Sequence, residues 1–136
     1  MYNKGENNMS IHLPEKHEVV TLCGSTKFKD EFIATQKKLA LEGKLVLSVS
    51  LFGHSGDDEV FSTPGVKEML DDVHKQKILM SDSIMVINVD GYIGSSTKNE
   101  IEWAILFGKK VEFLYKYKKC NELLEKIKYD VKYRLY

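Results

Sequence analysis

Four short runs of apolar, largely β-branched residues recur along the chain, each closed by turn-forming residues and followed by apolar positions at helical spacing. Val19-Val20-Thr21-Leu22-Cys23 is the first, ended by Gly24-Ser25-Thr26. Phe28, Phe32, Gln36 and Leu39 then recur near helical spacing, which predicts strand, turn and helix. Gly43 suits the C-cap, and residues 45–49 read as a second buried strand. A turn-rich loop, Gly53-His54-Ser55-Gly56-Asp57-Asp58, follows. Thr63-Pro64 resembles an N-cap with proline at the first helical position, and Val66, Met69, Leu70 and Val73 form an apolar stripe of a helix running to about residue 80. Residues 83–89 are almost continuously apolar and predict a central strand covered on both faces. After the turn Asp90-Gly91-Tyr92-Ile93-Gly94, a helix starts at Ser95-Ser96-Thr97 and carries Ile101, Ala104 and Ile105 on one side. Residues 111–115 predict a fourth strand and residues 122–128 a last helix. This alternation predicts an α/β fold, a doubly wound parallel sheet of four to five strands in a single domain over residues 17–136. Residues 1–16 lack periodicity and read as a flexible lead-in.

Composition changes this picture little. With 136 residues the chain suits one domain, and 20 basic against 20 acidic residues leave no overall field to gather a polyanion, so a nucleic-acid polymer is not an expected partner. The stretch from Lys109 to Tyr136 carries nine basic and four acidic residues, and a solvated helix face accounts for it more simply than a phosphate site. Cys23 and Cys120 stand far apart, with no Cys-x-x-Cys pair and no histidine at ligand spacing, so neither a disulfide framework nor a metal site is indicated. No secretory signal or bilayer-length apolar run is present, and a cytoplasmic protein without membrane contact is expected.

In open parallel sheets, ligands bind beyond the carboxyl ends of the strands. That rule selects three loops. The first, Gly24-Ser25-Thr26-Lys27, offers backbone N–H groups, hydroxyls and a cation suited to a phosphate or sugar oxygen, although a tight turn with a serine cap explains it equally. It is neither a Walker loop nor a dinucleotide fingerprint, so no cofactor is expected. The second loop holds His54 and Asp57, where a surface turn is the alternative to ligand contact. The third runs from Asn88 through Gly94, Ser95 and Ser96 to Glu100. Thr97-Lys98-Asn99-Glu100 also reads as a capping box, in which Glu100 merely stabilises a helix start; pointing into a cleft, it could instead act at an anomeric carbon. Trp103 could line the same side, although core packing is the commoner use of such a residue. On the preceding helix Asp71 and His74 are i,i+3 neighbours that could pair, Asp72 falls on another face, and a solvated helix surface explains all three.

Taken together, Leu22-Cys23-Gly24-Ser25-Thr26, Ser81-Asp82-Ser83-Ile84-Met85-Val86-Ile87, Gly94-Ser95-Ser96-Thr97-Lys98-Asn99-Glu100-Ile101-Glu102-Trp103-Ala104 and Gly108-Lys109-Lys110-Val111 resemble the nucleoside 2-deoxyribosyltransferase superfamily, over roughly residues 18–115. The resemblance implies a flavodoxin-like sheet, a homo-oligomer, and cleavage or transfer at the N-glycosidic bond of a nucleoside or nucleoside 5′-monophosphate. It implies Glu100 as nucleophile, sugar or phosphate contacts at Gly24, Ser25 and Lys27, and phosphate contacts from Ser95, Ser96 and Thr97. The family commonly has an aspartate eight residues before Asp82; here that position is His74, which leaves proton transfer open among His74, Asp71 and Asp72.

Overall fold

The computed structural model describes residues 11–53 and 55–134. Four strands alternate with four helices: β1 (Val19–Gly24), α1 (Lys29–Leu41), β2 (Leu45–Leu47), α2 (Val66–Leu79), β3 (Ser83–Ile87), α3 (Ser95–Leu106), β4 (Lys110–Phe113) and α4 (Lys118–Arg134). All strand pairs are parallel and the order is β2-β1-β3-β4, a flavodoxin-like, doubly wound sheet. The order reverses between β1 and β3, which makes the gap beyond their carboxyl ends the place for a ligand.

Strand alternation sorts the core into two layers. Val20, Leu22 and Ile87 pack with Phe32 and Leu39 of α1 on one face. Cys23, Ile84 and Val86 face the other way, against Ile78 of α2, Ile101 and Ala104 of α3, and Ile127 and Val131 of α4. Register is held at the strand starts, where the Val19 N–H donates to Asp82 Oδ2 at 2.8 Å and Lys44 pairs with Glu18.

Several elements depart from the sequence reading. β2 stops at Leu47, and beyond it the Ser48 carbonyl accepts a bond from Lys77 Nζ at 2.7 Å. Helix α2 starts two residues after Pro64, with Gly65 in a left-handed conformation (φ 82°) as the cap, so Thr63 is not its N-cap. Its buried face is also rotated from the expected stripe: His74 and Ile78 are buried while Met69 and Val73 lie exposed. α4 is much longer than residues 122–128. Cys120, Ile127 and Val131 anchor its inner side, and Lys126–Asp130, Lys128–Glu125 and Arg134–Glu102 pairs occupy its solvated surface. Of the lead-in, residues 12–16 carry no regular structure, and residues 1–10 lie outside the described residues. Among the described residues, no helix is long and apolar enough to cross a membrane.

Candidate active site

A cleft of about 500 Å³ opens at the reversal point. Gly24 makes it possible. Its φ is 155°, and a Cβ there would meet the Ile87 carbonyl at 2.9 Å, so any side chain would wedge β1 from β3 at the mouth of the cleft. Beyond Gly24, Ser25 caps a short 3-10 turn and lines the cleft with Thr26.

The far wall is the start of α3. This helix begins at Ser95 with Gly94 at its cap, and no side chain caps it. Gly94, Ser95, Ser96 and Thr97 all line the cleft, so the unpaired first-turn N–H groups and hydroxyls belong to its surface. Glu100 therefore sits at the sixth helical position, a turn and a half in. A capping box needs the carboxylate at the third position, so that reading is excluded. The Glu100 side chain is instead 16% exposed and reaches the cleft floor.

There it meets residues from two other elements. His74 Nε2 of α2 stands 3.7 Å from Glu100 Oε2 and 3.6 Å from Cys23 Sγ of β1. His74 is carried into place because α2 is tied to β1: the Thr21 and Ser81 hydroxyls close on each other and on the Lys77 carbonyl. Lys77 Nζ reaches back to the Ser48 carbonyl and Ser50 Oγ, which pins the β2 loop to the same helix.

Burial sets the electrostatics. Loss of water pushes the Glu100 carboxyl up to about 8; the Cys23 hydrogen bond opposes this and the nearby Asp71 charge adds to it. Burial brings His74 down to about 4, assisted by the Lys77 charge and opposed by Asp71 and the Leu22 backbone. Burial and the adjacent Glu100 raise the Cys23 thiol well above its usual range. At neutral pH the three groups are therefore predominantly uncharged, and the 3.7 Å approach of His74 to Glu100 is not a salt bridge.

The other sequence candidates divide. Asp71 lines the cleft and pairs with Lys67 at 2.9 Å, so it does not pair with His74 as its spacing suggested. Asp72 faces away, accepting from Gln76 Nε2 at 3.1 Å, and is no part of the site. Lys27 lies outside the cleft lining, its ammonium 3.8 Å from the centre of the Tyr92 ring, which forms part of the cleft wall. Asp57 accepts from the Phe52 N–H at 2.8 Å and folds its own loop. Asn88 is fully buried and locked to the Tyr115 backbone, so it contacts no ligand. Trp103 packs against the core, under Lys75. His54 lies outside the described residues. Sequence spacing missed Cys23 and Lys77. The signal for Cys23 was its place as the last side chain before Gly24, on the face of β1 that α2 and α3 cover.

Comparison of the chain with protein families, with curated proteins and with solved structures yields no match.

Proposed function

We propose that the protein cleaves or transfers at the N-glycosidic bond of a (deoxy)nucleoside or nucleoside 5′-monophosphate, with Glu100 as the nucleophile. The observation that carries this reading is the placement of the Glu100 carboxyl on the cleft floor, 3.7 Å from His74 and beside the uncapped start of α3. In the reaction, the bond from the anomeric carbon to the base nitrogen breaks and the base leaves with a proton. The Glu100 carboxylate bonds to the anomeric carbon, and water or an acceptor base then displaces it, restoring the carboxylate. Ser25 and the α3 N–H groups suit sugar or phosphate oxygens. Asp71, His74 and Tyr92 are the other titratable groups that the cleft shares with Glu100 besides its lysines. Held neutral, His74 orients the carboxyl; Asp71, open to the cleft, is the candidate for proton exchange with the leaving base.

The test is incubation of the purified chain with a panel of ribo- and deoxyribonucleosides and their 5′-monophosphates, followed by chromatography for free base. Base release that Glu100→Ala leaves undiminished would sink the assignment. Burial that holds Glu100 protonated favours a second reading, a nucleotide-binding or sensing module with no turnover. Calorimetric binding without base release after prolonged incubation would select it.

A further inference from the structure

We propose that Cys23, His74 and Glu100 form a binding site for a divalent, borderline-soft metal ion of the Zn²⁺ class, with its fourth position open to the cleft. In a tetrahedral zinc site the sulfur ligand stands about 2.3 Å and the nitrogen and oxygen ligands about 2.0–2.1 Å from the metal. Tetrahedral angles then separate sulfur from nitrogen by about 3.6 Å and nitrogen from oxygen by about 3.3 Å. Here Cys23 Sγ and His74 Nε2 are 3.6 Å apart, and His74 Nε2 and Glu100 Oε2 are 3.7 Å apart. The three ligand atoms all lie within 4.8 Å of one another. The sulfur-to-carboxylate pair, bounded by 4.8 Å, exceeds the tetrahedral separation of about 3.6 Å by up to about 1.2 Å, so closing the site requires a movement of up to about 1 Å by the glutamate side chain, the most flexible of the three.

The donor set fits in chemistry as well as spacing. Thiolate, imidazole and carboxylate are all zinc ligands. The three arise from β1, α2 and α3; the Thr21, Ser81 and Lys77 contacts join the first two, and Ile101 and Ala104 pack α3 into the core layer of Cys23 and Ile78, so the site is assembled by the fold itself. On binding, M²⁺ enters while the Cys23 thiol proton and the Glu100 carboxyl proton leave. Two anions then balance the dication, and a neutral complex occupies the buried pocket. Asp71, Lys67 and Lys77 also line this cleft, one acidic against two basic side chains. Metal binding does not depend on the proposed reaction. Inhibition by metal does rest on that reading, because Glu100 cannot ligate a metal and attack an anomeric carbon at once.

The experiment is titration of the chelator-treated full-length chain with Co²⁺ alone. One equivalent is expected to give a thiolate-to-cobalt charge-transfer band in the near ultraviolet and the intense visible absorption of a four-coordinate ion, both abolished by added Zn²⁺. Cys23→Ser is expected to lose the ultraviolet band. Glu100→Gln is expected to weaken binding by at least about 100-fold, since loss of an outer partner alone costs up to about that much. If Cys23→Ser fails to fold, His74→Gln reports through the visible bands. Absence of both bands, or a charge-transfer band unchanged in Cys23→Ser, would overturn the site whatever the activity. Metal binding that leaves base release intact would instead overturn the role given to Glu100.

Discussion

The two cysteines sit in two buried polar clusters on the same side of the sheet, and the clusters differ in what satisfies them. Around Cys120, Asn88 ends β3 and uses both ends of its amide: Oδ1 accepts from the Tyr115 N–H at 2.9 Å, and Nδ2 donates to the Tyr115 carbonyl at 2.8 Å and to Cys120 Sγ at 3.4 Å. Cys120 in turn donates to the Gly91 carbonyl. Its partners are mostly backbone, none of its members lines the cleft of the candidate site, and its task is to join β3 to the chain entering α4. Around Cys23 the contacts are side chain to side chain, a sulfur–imidazole bond of 3.6 Å and an imidazole–carboxyl approach of 3.7 Å, and His74 and Glu100 line the cleft. Titratable side chains that meet one another at a cleft can change partners when a ligand arrives; an amide clamped by backbone cannot.

Four substitutions or titrations sharpen this contrast. The largest effect is expected from Glu100→Gln: base release falls by about three orders of magnitude or more, measured by chromatography. Its midpoint in denaturant is expected to stay level or rise, because a buried carboxyl loses its desolvation burden. Asn88→Ala reverses that pattern. It orphans the Tyr115 N–H and carbonyl and is expected to cost about 3 kcal/mol of stability in a urea melt.

Next comes pH, in the metal-free chain. The raised Glu100 pKa contributes stability that is full below its ordinary value of 4.5 and lost as pH rises through about 8. The lowered His74 pKa contributes stability that is full above its ordinary value of 6.5 and lost as pH falls through about 4. The two slopes cancel between 4.5 and 6.5, leaving a plateau from this pair. From 6.5 to 8 Glu100 acts alone and removes about 2 kcal/mol. Glu100→Gln is expected to abolish that alkaline fall, measured as a difference between the two proteins' denaturant midpoints across pH. The same titration makes base release rise with pH up to about 8, since only the carboxylate attacks. A wild-type profile flat in both stability and rate would break the contrast.

The smallest effect is expected from Lys77→Met, which frees the β2 loop from its bonds to Ser48 and Ser50. It should cost about 1 kcal/mol and raise KM severalfold, read from urea melts and initial rates.

Much of the framework was legible in the chain itself. Runs such as 84–87 are apolar on successive residues because both faces of a central parallel strand are covered, and that pattern announces the fold. The loops of the site were legible too, since Gly24 and Gly94 to Ser96 follow strands whose carboxyl ends face a ligand in any sheet of this kind. Which polar residues enter the cleft was not. Asp57, Asp72 and Asn88 are as polar as Glu100, and local sequence cannot say whether a backbone group or a neighbouring side chain has already taken their hydrogen bonds.

Periodicity alone thus determined the order of strands and helices, the parallel sheet and the edge at which chemistry belongs, because alternation and helical spacing are properties of consecutive residues. The tertiary structure decided the rest. The start of α3 at Ser95 turns Glu100 from a cap into a cleft residue, and the rotation of α2 buries His74 in place of Met69 and Val73. Cys23, His74 and Glu100 come from three elements separated by 51 and 26 residues. Only the packing of α2 and α3 over the end of β1 brings them within reach of one another and out of water, and that burial shifts their proton affinities.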